Sequence, residues 1–208
     1  SSLGFEHHRI FDLVTGSVSP SPEQLILISD ALNIQIDSLL RKDLSLLPDA
    51  NHNVRMFVVD VDGVMTDGGM FFSDSGLEFK KYNAKDGLAM IRLERNWIKT
   101  GMLSHGFNRQ LIKSRAEMLG VSFYYTGQDK KADVIEQWAE KASVKLSEIA
   151  YIGDDINDLD VMRKVGFSAV PCDATKGAKK EADLILSTEG GKGCVRELAE
   201  ILFPQFFE

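Results

Sequence analysis

The chain has 208 residues, 44% of them hydrophobic and 26% charged, and a net charge of −7; such a composition belongs to an ordinary globular protein with room for one domain and a small appendage. The acidic balance argues against a sequence-independent grip on nucleic acid, which needs a Lys/Arg surface, and no apolar run approaches the ~20 residues of a membrane span. Two cysteines, Cys172 and Cys194, are too few for a disulfide framework; with no secretory pattern at the start, free thiols and a cytoplasmic location are expected.

Residues 1–50 read as a helical appendage with its linker, and 51–208 as the main domain. Ser19-Pro20-Ser21-Pro22-Glu23 suits a helix start. Leu25, Ile28 and Leu32, then Ile36, Leu39 and Leu40 beyond Asn33, recur at helical spacing and predict two short amphipathic helices. The wording from Ser2-Leu3-Gly4 through Pro22-x-Gln24-Leu25 to Asp37-Ser38-Leu39-Leu40 resembles the second half of a repressor-type helix-turn-helix domain. The first two helices of that family are missing, and with the acidic balance this counts against DNA binding. Asp43 to Asn53 reads as the linker.

From Arg55 onward strands alternate with helices. Apolar runs at Met56–Val59, Ile98–Leu103, Val121–Tyr125, Ile149–Ile152 and Phe167–Val170 are separated by helical stretches at Lys85–Asn96, Asn108–Leu119, Lys131–Ala142 and Ile156–Val165, with a last helix at Gly193–Phe203. That alternation predicts an α/β domain, a parallel sheet covered by helices on both faces. Between Gly68 and Asn83 the period shortens to that of strands, with a Ser73-Asp74-Ser75-Gly76 turn, which predicts a projecting β-hairpin.

Carboxylates gather after two of these strands. Asp60 and Asp62 stand at the end of the first, spaced to project together, and Gly153-Asp154-Asp155-Ile156-Asn157-Asp158 comes after another. In a parallel sheet both groups reach the same edge, where ligands of such sheets bind, and so dense an all-oxygen cluster suits Mg²⁺. Either group alone is also compatible with an Asx turn or a helix cap. Ser104, after Met102-Leu103, and Lys131, opening a helix, are candidate phosphate contacts, although a serine there also serves as a cap and a lysine there is ordinarily solvated.

With Asp60-x-Asp62-Gly63-Val64-x-Thr66-Asp67-Gly68, Ser104, Lys131 and Gly153-Asp154-Asp155-x-x-Asp158 in order, the segment from about Arg55 to Phe203 resembles the haloacid-dehalogenase superfamily phosphatases, which have a Rossmann-like fold. Lys80-Lys81-Tyr82-Asn83-x-x-Asp86-Gly87, Ala150-Tyr151-Ile152-Gly153-Asp154-Asp155, Val165-Gly166-x-Ser168-Ala169-Val170-Pro171 and Gly190-Gly191-x-Gly193-x-x-Arg196-Glu197 make it most similar to the small capless branch. That branch includes the 3-deoxy-D-manno-octulosonate 8-phosphate phosphatases, the nonulosonate 9-phosphate phosphatases and the carboxyl-terminal domain of animal sialic-acid cytidylyltransferases.

The resemblance implies a Mg²⁺-dependent phosphatase of a phosphorylated 2-keto-3-deoxy sugar acid. Asp60 would be the nucleophile and Asp62 the general acid and base. Asp60, the carbonyl of Asp62 and Asp154 would hold the metal, with Asp155 and Asp158 behind them, and Ser104 and Lys131 would bind the phosphoryl group. Thr66, Lys80, Asp86, His105, Gly106, Arg115 and Arg196 are implied on the substrate side. A homotetramer is implied as well, the hairpin of one subunit covering a neighbour's site.

The phosphate loop departs from the family. Where the family reads Thr-Gly-Arg or Thr-Gly-Glu, this chain has Ser104-His105-Gly106-Phe107, with one extra residue before Arg115, and Met118 stands where the nonulosonate enzymes carry a lysine. The hydroxyl is kept and the charged specificity residue is not. An alternative function, a non-catalytic oligomerisation module like the animal cytidylyltransferase domain, arises from the same departure.

Overall fold

Strand β1 (Met56–Asp60) is buried along its whole length and forms the axis of the main domain. The structure is a computed structural model and describes residues 19–32 and 53–207. The chain divides into two units, Ser1–Leu44 and Ser45–Glu208. In the first, helix α1 (Pro22–Leu32) starts as its sequence predicts. The Ser21 hydroxyl accepts from the Gln24 amide at 3.3 Å, and Gln24 Oε1 accepts from the Ser21 amide at 2.8 Å, a reciprocal cap with proline at the first helical position. The expected second helix, with Ile36, Leu39 and Leu40, lies outside the described residues, as does the linker up to residue 52.

In the second unit β1 is followed by a hairpin, β2 (Phe71–Phe72) with β3 (Glu78–Phe79), then α2 (Ala84–Arg95), β4 (Lys99–Ser104), α3 (Arg109–Leu119), β5 (Phe123–Thr126), α4 (Lys131–Ala142) and β6 (Ile149–Ile152). The chain continues through α5 (Leu159–Met162), β7 (Phe167–Val170), α6 (Lys176–Glu181), β8 (Leu184–Ile185) and α7 (Cys194–Leu202). Six strands form one sheet in the order β5-β4-β1-β6-β7-β8, with every neighbouring pair parallel. The chain winds outward from β1 through β4 to β5 and then crosses back to β6. The reversal beside β1 opens a crevice at the carboxyl ends of β1, β4 and β6.

Side chains alternate across β1 and fill two cores. Phe57 and Val59 pack with Met90 and Leu93 of α2, Ile112 of α3 and Leu198 of α7. Met56 and Val58 face Ile135 and Trp138 of α4, Met162 of α5 and Ala178 of α6. Each large side chain taken from water in these cores contributes roughly 1.5–3 kcal/mol, so the position of β1 is set from both sides.

Two details differ from the pattern expected of the sequence. The helix predicted over Ile156–Val165 is a 3-10 turn, Ile156–Asp158, followed by the single-turn α5. The Asp158 side chain folds back to accept from the Asp154 and Asp155 amides at 2.9 and 3.1 Å, and this holds the first turn tighter than an α-helix. Helix α6 and strand β8 are additions that the apolar spacing does not predict.

Candidate active site

The first functional group is set by the end of β1. Beyond Asp60 the chain turns through Val61–Met65, with Asp62 at φ −86° and ψ 114° and Gly63 at φ +90°. The turn is closed by the Thr66 amide and hydroxyl, which donate to the Val61 carbonyl at 3.0 and 3.2 Å. Only glycine fits at 63: besides the left-handed backbone, a Cβ there would stand 2.1 Å from Asp154 Oδ2. From the opposite end of the chain the Gly191 amide donates to the Val64 carbonyl at 2.8 Å, fastening the turn from outside.

Asp60 and Asp62, expected to project together, engage different partners. Asp60 is buried and receives Lys131 Nζ at 2.8 Å. Lys131 is itself buried and reaches Asp158 Oδ1 at 2.6 Å. The buried Tyr151 hydroxyl donates to the same Asp158 oxygen. With its other oxygen taken by two backbone amides, Asp158 holds both Lys131 and the Asp154 loop. Burial pushes the Asp60 carboxyl well above the usual range, against the pull of Lys131. Burial, and then the charge of Asp158, push Asp154 up to about 7. Burial disfavours the Lys131 charge, but Asp60 and Asp158 outweigh it and raise its pKa.

Asp62 takes the Ser104 hydroxyl at 3.0 Å on one oxygen and the Lys80 ammonium on the other; Lys80 also bridges to Glu78 at 2.8 Å. The Gly106 amide donates to the Ser104 hydroxyl at 2.9 Å. Asp62, Lys80, Glu78 and Gly106 border a cleft of about 440 Å³, lined also by Asp60, Asp154, His105 and Phe107 among others, while Ser104 is buried behind this lining. Asp155 also lines it, its side chain accepting from the Ile156 amide at 2.7 Å.

Four residues that the resemblance places on the substrate side are not in the cleft lining within one chain. Thr66 is buried in the turn. Asp86 is buried beneath the start of α7, where it accepts from the Arg196 amide at 2.8 Å. Arg115 stacks its guanidinium on the Tyr82 ring at 4.8 Å. Arg196 bonds Glu200 at 2.6 Å and lies over the Phe207 ring at 4.2 Å. Conversely, Asn157, at a position the motifs leave open, takes part through His105, and Tyr151, which a motif marks but to which no role was assigned, takes part through Asp158. A tyrosine inside an apolar strand carries a hydroxyl that needs a partner when buried, which is the physical sign of a role for Tyr151 beside its place in the motif.

The donor set fits a hard divalent cation. Asp60, Asp154 and Asp158 each bring a carboxylate oxygen within 4.8 Å of the others, and the missing Cβ of Gly63 leaves space for the Asp154 carboxylate. Among the described residues no helix is long and apolar enough to cross a membrane.

Known proteins are similar to this chain in sequence and fold. Residues 108–198 match the haloacid dehalogenase-like hydrolase family. The chain is 33% identical over 150 residues to the 3-deoxy-D-manno-octulosonate 8-phosphate phosphatase KdsC of Escherichia coli, a match covering 72% of this chain and 79% of that protein. The crystal structure of the corresponding phosphatase of Moraxella catarrhalis, in complex with magnesium ion, phosphate ion and a KDO molecule, superposes with a TM-score of 0.72 at 30% identity, covering 77% of this chain and 91% of that one. The cobalt-bound phosphatase of Haemophilus influenzae gives a TM-score of 0.72 at 30% identity, covering 76% of this chain and 92% of that one. A parallel sheet that gathers an acidic cluster and a buried lysine at one edge, together with this extent of identity, places the chain in the haloacid dehalogenase-like hydrolases, within the KdsC-like family of phosphoric monoester hydrolases.

Proposed function

We propose that the chain is a Mg²⁺-dependent phosphatase that hydrolyses a phosphorylated 2-keto-3-deoxy sugar acid through an aspartyl-phosphate. The observation that carries this reading is the Lys131 ammonium held between Asp60 at 2.8 Å and Asp158 at 2.6 Å, beside an Asp62 carboxylate already in contact with Ser104 at 3.0 Å. Asp60 is thereby aimed into the cleft next to two phosphate-binding donors, and Asp62 stands across from it as a proton carrier.

In the first half-reaction an Asp60 oxygen attacks phosphorus, the ester P–O bond breaks, and the Asp62 carboxyl gives its proton to the departing alkoxide. In the second, Asp62 takes a proton from water, whose oxygen attacks phosphorus; the Asp60–phosphate bond breaks and inorganic phosphate leaves. This is covalent catalysis with one group acting in turn as acid and base. Lys131 and Ser104 stabilise charge on the transferring phosphoryl oxygens. Mg²⁺, held by Asp60, Asp154 and the carbonyl of Asp62, would neutralise further charge on that group.

The hairpin supports a multi-subunit reading. Phe72 and Glu78, paired across it, line the cleft, and Phe71, Phe72 and Phe79 are 55%, 59% and 56% exposed. Exposed apolar pairs on so short a hairpin are accounted for if a second copy covers them, as in a homotetramer whose hairpins close neighbouring sites.

The test is turnover. Purified protein with Mg²⁺ should release phosphate from sugar-acid phosphates, with 3-deoxy-D-manno-octulosonate 8-phosphate and nonulosonate 9-phosphates assayed side by side, and Asp60→Asn should abolish the release. Activity that survives this substitution would refute the mechanism. Absence of turnover on the whole panel would instead favour the non-catalytic oligomerisation module.

A further inference from the structure

His105 comes directly after Ser104 and is joined to two other loops of the site. Its Nε2 lies 3.0 Å from the Asp129 carbonyl oxygen. A carbonyl only accepts, so the proton is on Nε2, and in the neutral ring Nδ1 is then the acceptor. The Asn157 side-chain amide meets Nδ1 at 3.3 Å. The main chain adds to the link: Gln128 Nε2 donates to the His105 carbonyl at 2.7 Å, and the Gly127 amide to the Ser104 carbonyl at 3.2 Å. Asp129 precedes Lys131 by two residues, and Asn157 lies between Asp154 and Asp158.

The groups proposed to handle phosphate and metal therefore sit at or next to the loops that follow three strands: Ser104 ends β4, Lys131 opens α4 beyond the loop after β5, and Asp154 is in the loop after β6. The imidazole on the first of these loops bonds to the other two. Loops are less rigid than the strands that carry them, and a displacement of about 1 Å in a reacting group costs on the order of a hundredfold in rate. We propose that His105 is a positioning residue that cross-braces the Ser104, Lys131 and Asp154 loops, and that it does so in place of contacting substrate. Both ring nitrogens are engaged by the protein, so the imidazole keeps no polar atom for a ligand. The kinetic part of this inference rests on the phosphatase reading; the structural part does not.

The experiment compares the wild-type protein with His105→Ala, His105→Gln, Asn157→Ala and the double variant His105→Ala/Asn157→Ala. Amide hydrogen exchange is followed in segments 126–131 and 154–158, and hydrolysis of p-nitrophenyl phosphate is measured with Mg²⁺. For His105→Ala, exchange should quicken in both segments, and kcat should fall about tenfold or more while KM stays within about twofold, the split expected when orientation rather than binding is lost. Asn157→Ala should loosen segment 154–158 alone. The double variant should be no slower than His105→Ala, because the two residues act as one contact, and His105→Gln, which keeps a donor and an acceptor, should recover much of the rate. Unchanged exchange in both segments of His105→Ala, or losses that multiply in the double variant, would overturn the brace. Should wild type show no turnover on any phosphate ester, the phosphatase reading fails and the exchange data alone decide the brace.

Discussion

Lys131 and Asp158 form a buried ion pair at 2.6 Å in which neither side chain is more than 1% exposed. Asp158 holds the lysine on one oxygen and the Asp154 and Asp155 amides on the other, so a single side chain fixes the lysine and shapes the loop that carries Asp154. Removing one partner of a buried pair leaves the other charge under-compensated, at a typical cost of roughly 3–5 kcal/mol. Asp158→Ala should accordingly lose about 3 kcal/mol of unfolding free energy in urea. Asp158→Asn, which keeps the volume, should fold but turn over at least about a hundredfold more slowly, since Lys131 loses its anchor. Wild-type stability in Asp158→Ala would show that the pair does not organise the fold.

The turn after β1 gives a sharper test, because two constraints meet at one atom. Gly63 has φ +90°, and a Cβ added to it would stand 2.1 Å from Asp154 Oδ2. Gly63→Ala should cost about 1–2 kcal/mol from the backbone alone and should also drive the Asp154 carboxylate out of place. Circular dichroism should show a folded protein, while calorimetry should show Mg²⁺ binding weakened by about tenfold or more, the effect of misplacing one ligand's support. Undiminished binding would mean that Asp154 is not a ligand.

Metal removal tests the same cluster from the other direction. A ligand that binds only the folded state stabilises it by about 2.7 kcal/mol at a hundred times its Kd, which for a chain of this size raises Tm by roughly 5–10 °C. Mg²⁺ should produce such a rise, EDTA should reverse it, and Asp60→Asn and Asp154→Asn should each abolish most of it. A rise retained in both variants would place the ion elsewhere.

Much of this site was legible because its carriers are unambiguous in sequence. The runs Met56–Val59 and Ile149–Ile152 are long enough to read as buried parallel strands, and the parallel arrangement brings the carboxylates beyond their ends to one edge. The parts that were not legible have physical reasons. Strand β8 is two residues long, and α6 has one buried apolar residue, Ala178, among lysines, so neither shows a hydrophobic period. The break at Asp158 depends on a side chain bonding its own backbone, which competes with helix formation but leaves no mark on the apolar spacing. The contacts of His105 depend on loops brought together by the sheet from residues far apart in sequence.

Asp86, placed on the substrate side by resemblance, takes a different position in the structure and carries a pH signature. Burial pushes its carboxyl up to about 6, against the amides of Arg196 and Val195 and the charge of Arg115, which pull it down; Oδ1 receives the Arg196 amide, while Oδ2 is buried with no hydrogen-bond partner. The unfolded carboxyl titrates near its ordinary value of about 3.9, so between roughly pH 4 and 6 the folded state binds more protons than the unfolded one. Stability from this group therefore falls as pH rises through that window and is constant above it, the reverse of a carboxylate lowered by a salt bridge. The whole decline amounts to at most about 3 kcal/mol. Asp86→Asn removes the titration and keeps an acceptor for the Arg196 amide. Urea unfolding of both proteins from about pH 4 to 7 should show the stability of wild type relative to Asp86→Asn declining across that range and then levelling off. A difference that grows with pH would mean that the partners of Asp86 hold it ionised in the folded protein.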